Sequence, residues 1–378
     1  MALKNIKKMD KTVLFLSIIL LIWGLLSIVS ASSRVAVLDY NLPVYYYFVK
    51  QLIMALVGLF TGLVIINIPT KNYFNISRVS FYIILVLLLF LSFTGDSTRG
   101  AQNWLNIFGS TFQPSEFAKP IIIVYLALLF DKFKTSLEEN PKIELLAYIM
   151  FVGCFIPVIV FFQKDFGTMT IILSIFLVLF IGSPIKKIYK LRLFLTIIIL
   201  AFLVASIIYF RQGYVLSKAQ VSRFDFYNPC SKYETGGYQI CNGFIAINDG
   251  GLFGLGLGNS KQKYSYIPEP HTDSIFAIIA EENGFIRSSF IFFFYVILLF
   301  RLIVISSRAV SLRGKYIALG VSVYIFMHIF INLGGLFGII PLTGVPLPFF
   351  SSGGSFVISL IISLALVQRV YIEILQSK

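Results

Sequence analysis

Charge is scarce in this 378-residue chain: Asp, Glu, Lys and Arg together make up 13% of it, about half the share of an ordinary soluble domain. With so little polar material a soluble fold has nothing to clothe its surface, which excludes a cytosolic enzyme. A disordered chain is excluded for a related reason, because 58% of the residues are hydrophobic and disorder requires low hydrophobicity. Cysteine is rare as well, three residues in all, too few for a secreted scaffold built on disulfides. Ten-residue stretches of alternating polarity between aromatic girdles are missing, so a transmembrane barrel is excluded too. What the chain has instead is long apolar runs, whose summed length suffices for about ten helices of about 20 residues each across a bilayer.

The runs lie at 12–32, 44–67, 78–95, 114–130, 143–163, 166–183, 192–211, 273–300, 316–337 and 353–372. Backbone in lipid must satisfy its own hydrogen bonds, so each run is expected to be helical. The fold expected is an all-α polytopic membrane protein, one unit over 1–378. The first run follows a lysine-rich tail (1–11) and ends on Ser30-Ala31-Ser32, as a signal peptide would. Its length is about twice that of a signal-peptide core, so it reads as a retained helix. The net charge of +14 gathers in short segments between apolar runs, the pattern of loops facing anionic lipid, not of nucleic-acid binding. Segments on the side of the N-terminus carry nineteen Lys and Arg, while the short opposite loops hold only Arg34, Arg99 and Lys164. That asymmetry orients both ends to the cytoplasm. One outer segment, 212–272, between the seventh and eighth helices, is long, aromatic and glycine-rich. It reads as an ordered loop, and long loops concentrate function. Cys230 and Cys241 both fall in it, and a disulfide between them is open at this point. Cys154, within a span, reads as an inert core residue.

Four stretches break the lipid-like composition. In the first, Gly95-Asp96-Ser97-Thr98-Arg99-Gly100-Ala101-Gln102-Asn103-Trp104 running into Phe112-Gln113-Pro114-Ser115-Glu116-Phe117-Ala118-Lys119, Pro114 can open a helix, which places Glu116 and Lys119 one turn apart on one face. An ionisable pair at membrane depth points to function, with an ion pair that only fixes packing as the alternative. The second, Gln163-Lys164-Asp165-Phe166-Gly167-Thr168, reads as a charged turn at the membrane surface. The third is the glycine-rich run 250–258, followed by Lys261, Gln262, Lys263 and then Pro268-Glu269-Pro270-His271-Thr272-Asp273. Its glycines permit close backbone approach to a ligand and its lysines could meet phosphate. Asp273 starts the eighth helix near the outer surface, where Asp273 or Thr272 could equally be an N-cap. Glu281 lies about 12 Å deeper at the helical rise; it and Glu282 need partners, for which Arg287 and Lys119 are the candidates. The fourth stretch, 341–355, holds Pro341, Pro346 and Pro348 with Gly344, Gly353 and Gly354. It cannot continue a helix, and such backbone near membrane depth lines a cavity. His328, alone in a span, reads as packed.

Together these stretches resemble the SEDS family (shape, elongation, division and sporulation), the FtsW and RodA proteins. The resemblance is carried by Gly100-Ala101 with Trp104, Gln113-Pro114-Ser115-Glu116 with Lys119, Asp165 with Gly167-Thr168, Pro268-Glu269 with His271-Thr272-Asp273, and Pro341 with Thr343-Gly344 and Pro346-Leu347-Pro348. It runs nearly end to end. Gly258-Asn259-Ser260-Lys261-Gln262-Lys263 and Ser30-Ala31-Ser32 are closer to the FtsW cell-division and sporulation branch than to RodA. The resemblance implies a ten-helix peptidoglycan glycosyltransferase that polymerises lipid II at the outer face of the bacterial cytoplasmic membrane. It implies Asp273 as the essential residue, and as partners a class B penicillin-binding protein (a single-pass transpeptidase) and other division or elongation proteins. Three positions depart from the family pattern: Asn103 in place of Arg, Ser274 in place of Phe and Ser352 in place of Tyr.

The chemistry expected is attack of a sugar 4-hydroxyl on the anomeric carbon of a second disaccharide, with Asp273 as general base. Polyprenyl pyrophosphate leaves as a stable anion and asks for positive charge instead of an acid. Lys119, Arg223, Lys261 and Lys263 are the cations available, Lys119 foremost, with a divalent cation (Mg or Mn) as one further source. Glu116, Gln113, Gln262, Glu269, His271, Thr272 and Ser351 complete the expected substrate-binding set. Two other classes compete. A precursor flippase or transporter would also use buried charge and broken helices but calls for paired interrupted segments, and a non-catalytic divisome scaffold would tolerate Asp273→Asn.

Overall fold

The computed structural model describes residues 5–94, 103–107, 110–213, 228–264 and 266–377. Each of the ten apolar runs lies in a helix: α1 (Lys11–Arg34), α2 (Tyr46–Asn67), α3 (Tyr73–Thr94), α4 (Pro114–Lys132), α6 (Ile143–Phe162), α7 (Phe166–Gly182), α8 (Lys187–Gln212), α10 (Ile275–Arg308), α11 (Leu312–Leu336) and α12 (Gly354–Gln376). A short α5 (Lys134–Glu139) follows α4, and α9 (Tyr238–Gly250) lies in the long segment 212–272. The strands β1 (Leu105–Ile107) and β2 (Ser110–Phe112) form an antiparallel hairpin ahead of α4, an addition to the all-α expectation. Seven of the helices are long and apolar enough to cross a membrane by length and composition. The chain is a multi-pass membrane protein.

Helix α4 stands at the centre, buried on nearly all sides from Pro114 to Phe130. A helix that is apolar all round has no face suited to solvent, so its neighbours enclose it. Small residues set the closest contacts. On α2, Gly58 and Gly62 lie against Ile358, Ile361 and Ala365 of α12, where an added Cβ would come within 3.0 to 3.3 Å of its neighbour. Such a small-xxx-small stripe lets two backbones approach in lipid, where packing does the work that water does elsewhere. Gly320 of α11 likewise meets Ile123 of α4, and Gly153 of α6 meets the Phe176 ring of α7.

The polar groups gather at the two ends of the bundle. At one end Asp10 caps α1, accepting from the Val13 amide at 2.9 Å, and pairs with Arg301 at 2.5 Å. The Asp10 amide donates to Gln368 Oε1 at 2.7 Å. The start of α1 and the last turns of α12 are thereby clasped together, so both ends of the described chain lie on the same side. Arg313 with Asp131, and Arg369 with Glu373, add ion pairs at that end. The other end carries the four unusual stretches.

One helix is broken. Gly284 of α10 has φ 73° and ψ 176°, so the segment expected as a straight span over 273–300 is two helices meeting at a kink. The carbonyls and amides freed there pair with the glycine-rich run: the Leu255 and Gly256 amides donate to the Glu281 and Glu282 carbonyls, both at 3.0 Å, and the Phe285 amide donates to the Gly251 carbonyl at 2.8 Å.

Candidate active site

Asp273 ends a turn built by the prolines of its own motif. Glu269 sits at φ 43°, and the Thr272 amide and hydroxyl both donate to its carbonyl, at 3.0 and 2.8 Å. The N-cap of α10 is Ser274, one residue past the two expected cap candidates, and its side chain makes no capping bond. The half-buried Asp273 carboxylate lies 3.1 Å from Thr272 Oγ1 and accepts from Gln239 Nε2 of α9 at 3.4 Å. Its carbonyl accepts from Asn332 Nδ2 of α11 at 2.7 Å.

The proline- and glycine-rich stretch closes over this turn. Asn332 Nδ2 also donates to the Val345 carbonyl at 2.8 Å, Ser351 Oγ donates to the Thr272 carbonyl at 2.6 Å, and the Ser352 amide donates to the His271 carbonyl at 2.9 Å. Gly344 has φ 75°, and a Cβ there would stand 3.9 Å from Asp273 Oδ2. Gln51 of α2 bonds this segment from below, donating to Ser351 O and accepting from the Gly353 amide. His271 is buried with its ring 4.3 Å from that of Tyr47.

Beneath lies the ionic layer expected from sequence. Lys119 is fully buried, its ammonium 2.6 Å from Glu116 Oε1 and 3.0 Å from His328 Nε2, with the Tyr324 ring 5.7 Å away. The ammonium can only donate, so His328 Nε2 accepts; Nδ1 therefore carries the hydrogen and donates to the Pro346 carbonyl at 3.1 Å. His328 is packed, as expected, but it also ties Lys119 to the 341–355 stretch. Lys119 points into protein, where Glu116 and His328 are its partners. Pro120 cannot supply the amide that the Glu116 carbonyl of α4 would normally receive, and Ser359 Oγ of α12 fills that place at 2.8 Å. Gln113 is buried and donates to Asp165 Oδ2 at 3.0 Å, as does Asn103 at 2.8 Å, while Asp165 Oδ1 caps α7 through the Thr168 amide. Gly167 of the same turn packs on Thr343 and Val345, so the charged turn joins the first and fourth stretches.

The glycine-rich run departs from expectation. Gly254 has φ 82°, and a Cβ on it would meet the Glu282 carbonyl at 2.3 Å. At Gly250 and Gly254 the close approach is to the chain's own broken helix. Nor do Glu281 and Glu282 use Arg287 or Lys119. Glu281 accepts from Ser260 Oγ at 2.5 Å and the Lys261 amide at 2.8 Å. Glu282 pairs with Lys263 at 3.2 Å and accepts from Ser30 Oγ at 2.5 Å. The three ammonium hydrogens of Lys263 have Glu282, Gly258 O and Ser30 Oγ as acceptors, so this buried lysine staples the loop and has no donor left for phosphate. Gln262 is buried beside it and Lys261 is exposed. Arg223 lies outside the described residues. Cys230 and Cys241 form a disulfide.

Sequence reasoning missed Gln239, Asn332 and Gln51, ordinary amides whose importance comes only from what they touch. It also missed a cleft of about 300 Å³ beside the motif, lined by Arg34, Asp39, Tyr40, Tyr238, Pro268 and Glu269 among others. Arg34 and Asp39 face each other there at 3.7 Å.

The chain's residues 10–374 match the family of cell cycle proteins FtsW, RodA and SpoVE. Among curated relatives, the probable peptidoglycan glycosyltransferase FtsW of Bacillus subtilis (strain 168) is 32% identical over 370 residues, covering 97% of this chain and 91% of that one. Stage V sporulation protein E of the same organism is 33% identical over 353 residues, 92% of each chain. A solved structure reported as "Structural coordination of polymerization and crosslinking by a peptidoglycan synthase complex" superposes with a TM-score of 0.72 at 22% identity, over 96% of this chain and 97% of that one. The rod shape determining protein RodA of Thermus thermophilus gives 0.66 at 22% identity, over 96% of each chain. With the match spanning almost the whole length and the motif residues meeting around one turn, the chain belongs to the FtsW/RodA/SpoVE family.

Proposed function

We propose that this chain is a peptidoglycan glycosyltransferase of the bacterial cytoplasmic membrane, acting in division or sporulation, with both termini inside and Asp273 at the outer face. The observation that carries the reading is the Asp273 turn: one half-buried carboxylate on a turn bonded from α9, α11 and the 341–355 stretch, at the level where a sugar can stay in water while its lipid tail stays in the bilayer. The 4-hydroxyl of the acceptor gives its proton to Asp273 as its oxygen bonds the donor's anomeric carbon, and the bond to the polyprenyl pyrophosphate breaks with its electron pair on phosphate. Lys261 and Arg34 are the described cations proposed for the departing charge, with Arg223 carried over from the sequence expectation alone; Glu269, His271, Thr272 and Ser351 shape the turn around Asp273. Lys119 with Glu116, Gln113 with Asp165, and Lys263 with Glu282 hold the walls. Among the described residues no three His, Cys, Asp or Glu side chains converge as a metal site, and the mechanism gives a divalent cation no step. The partner proposed is a class B penicillin-binding protein, which would crosslink the strands.

Purified protein supplied with lipid II, with and without its cognate transpeptidase, should make glycan chains, and folded Asp273→Asn should make none. Equal polymer from both would move the base elsewhere. No polymer from wild type in the presence of the partner would sink the activity and favour a flippase, to be tested next by flipping in liposomes.

A further inference from the structure

We propose that Gln239 is a positioning residue for Asp273, and that the Cys230–Cys241 disulfide holds it in place, so that the thiol redox state on the outer face sets the rate of the transfer step. The proposal rests on the reading of Asp273 as the base. Gln239 is the second residue of α9. Its amide nitrogen donates to Ser274 Oγ at 2.7 Å and reaches Asp273 Oδ1 at 3.4 Å. The short bond anchors the amide; the longer one has room to tighten when the carboxylate moves onto a substrate hydroxyl, as catalytic contacts do on complex formation. A donor on Oδ1 fixes the rotation of the carboxylate about its bond to the chain, which a base aimed at one hydroxyl requires. Gln239 lies outside the Pro-Glu-Pro-His-Thr-Asp motif and reaches the carboxylate from the long outer segment.

What places Gln239 is unusual. Cys241, two residues on, is buried and bonded to Cys230, which is exposed in the turn Pro229–Lys232. The chain between returns tightly: Gly237 lies so close to the Pro229 carbonyl that a Cβ would stand 1.8 Å from it. The Tyr233 and Tyr238 rings meet at 4.8 Å. On the body side, Asn242 donates to the Tyr266 carbonyl at 3.1 Å. The N-terminal turn of α9 is therefore held between the disulfide-closed loop and the motif segment, with Gln239 at the point facing Asp273. A dithiol that attacks the exposed Cys230 sulfur gives up two electrons and two protons; the disulfide becomes two thiols and the dithiol leaves as its own disulfide. The loop end of this clamp is then released.

The test measures kcat and KM for lipid II polymerisation by the full-length protein with its transpeptidase, each variant with and without a dithiol, with thiol labelling to count reduced cysteines. Gln239→Ala should lower kcat by about 10- to 100-fold with KM unchanged, the cost of misplacing a reacting group. Gln239→Glu, nearly the same shape but unable to donate to a carboxylate, should fall at least as far, whereas a merely space-filling residue would tolerate it. Dithiol should lower wild-type kcat, should add nothing to Gln239→Ala, and should leave a Cys230→Ser/Cys241→Ser protein at its already lowered rate. Wild-type kcat in both Gln239 variants overturns the positioning. Dithiol that reduces the pair without changing wild-type kcat, or slows Gln239→Ala by the same factor, overturns the redox control. Asp273→Asn run alongside separates the two readings: retained activity there removes the base and the positioning with it, while an inert Asp273→Asn beside an unimpaired Gln239→Ala overturns the positioning alone.

Discussion

Lys119 and Glu116 make the residue-scale case for distinguishing chemistry from support. Each ion is buried and each needs the other, so removing one leaves an uncompensated charge. Lys119→Met should cost about 3–5 kcal/mol, and Lys119→Met with Glu116→Leu should recover most of it, since a well-packed apolar pair can replace a buried ion pair. Thermal unfolding in detergent checks both; a double variant that folds and still polymerises would exclude Lys119 as a phosphate contact. Ser359→Ala should cost about 1–3 kcal/mol, the penalty of a buried carbonyl left without a donor, because the Glu116 carbonyl has Pro120 where its helical partner would be. Asp273→Asn should leave stability unchanged while abolishing polymer. Asp273, Glu116 and Lys119 could be picked out from sequence because charge in an apolar chain is conspicuous. Gln239, Asn332 and Ser359 could not, since a neutral polar residue declares its role only through a partner far along the chain.

At the scale of elements, the broken helix α10 and the glycine run 250–258 are one object, two strands of irregular backbone that satisfy each other's polar groups. Gly284 and Gly213 share nearly the same φ, 73° and 74°, but only Gly284 has backbone within 2.3 Å of an added Cβ, while nothing stands within 4 Å at Gly213. Gly213→Ala should therefore cost about 1 kcal/mol, the conformational share alone. Gly284→Ala should cost several times as much and release the loop to protease; equal losses would show that close approach contributes nothing. The glycine spacing announced tight backbone contact correctly but could not say with what. Phosphate and the chain's own carbonyls make the same demand on a loop, namely the absence of a Cβ.

For the whole molecule, hydropathy found all ten helices and delimited nine of them to within about five residues, because the bilayer demands a long apolar run of each; α10 runs eight residues past its expected end, to Arg308. Which helix lies beside which had no such signal. The glycines of α2 face α12, three hundred residues later, and α1 is capped through a residue that α12 bonds. That neighbourhood has a consequence for how the protein is made. Ribosomes deliver α1 and α2 some three hundred residues before α12, so these helices wait in the membrane with their stripe of small residues uncovered until α12 follows. Cores assembled from such distant partners close late. A chain ending before Ser352 should insert its earlier helices and yet remain open to protease throughout, and adding residues 353–378 as a separate peptide should protect it. Helix α12 thus acts as a completion check on this core: until it arrives, the Glu116 carbonyl has no hydroxyl and α2 has no wall.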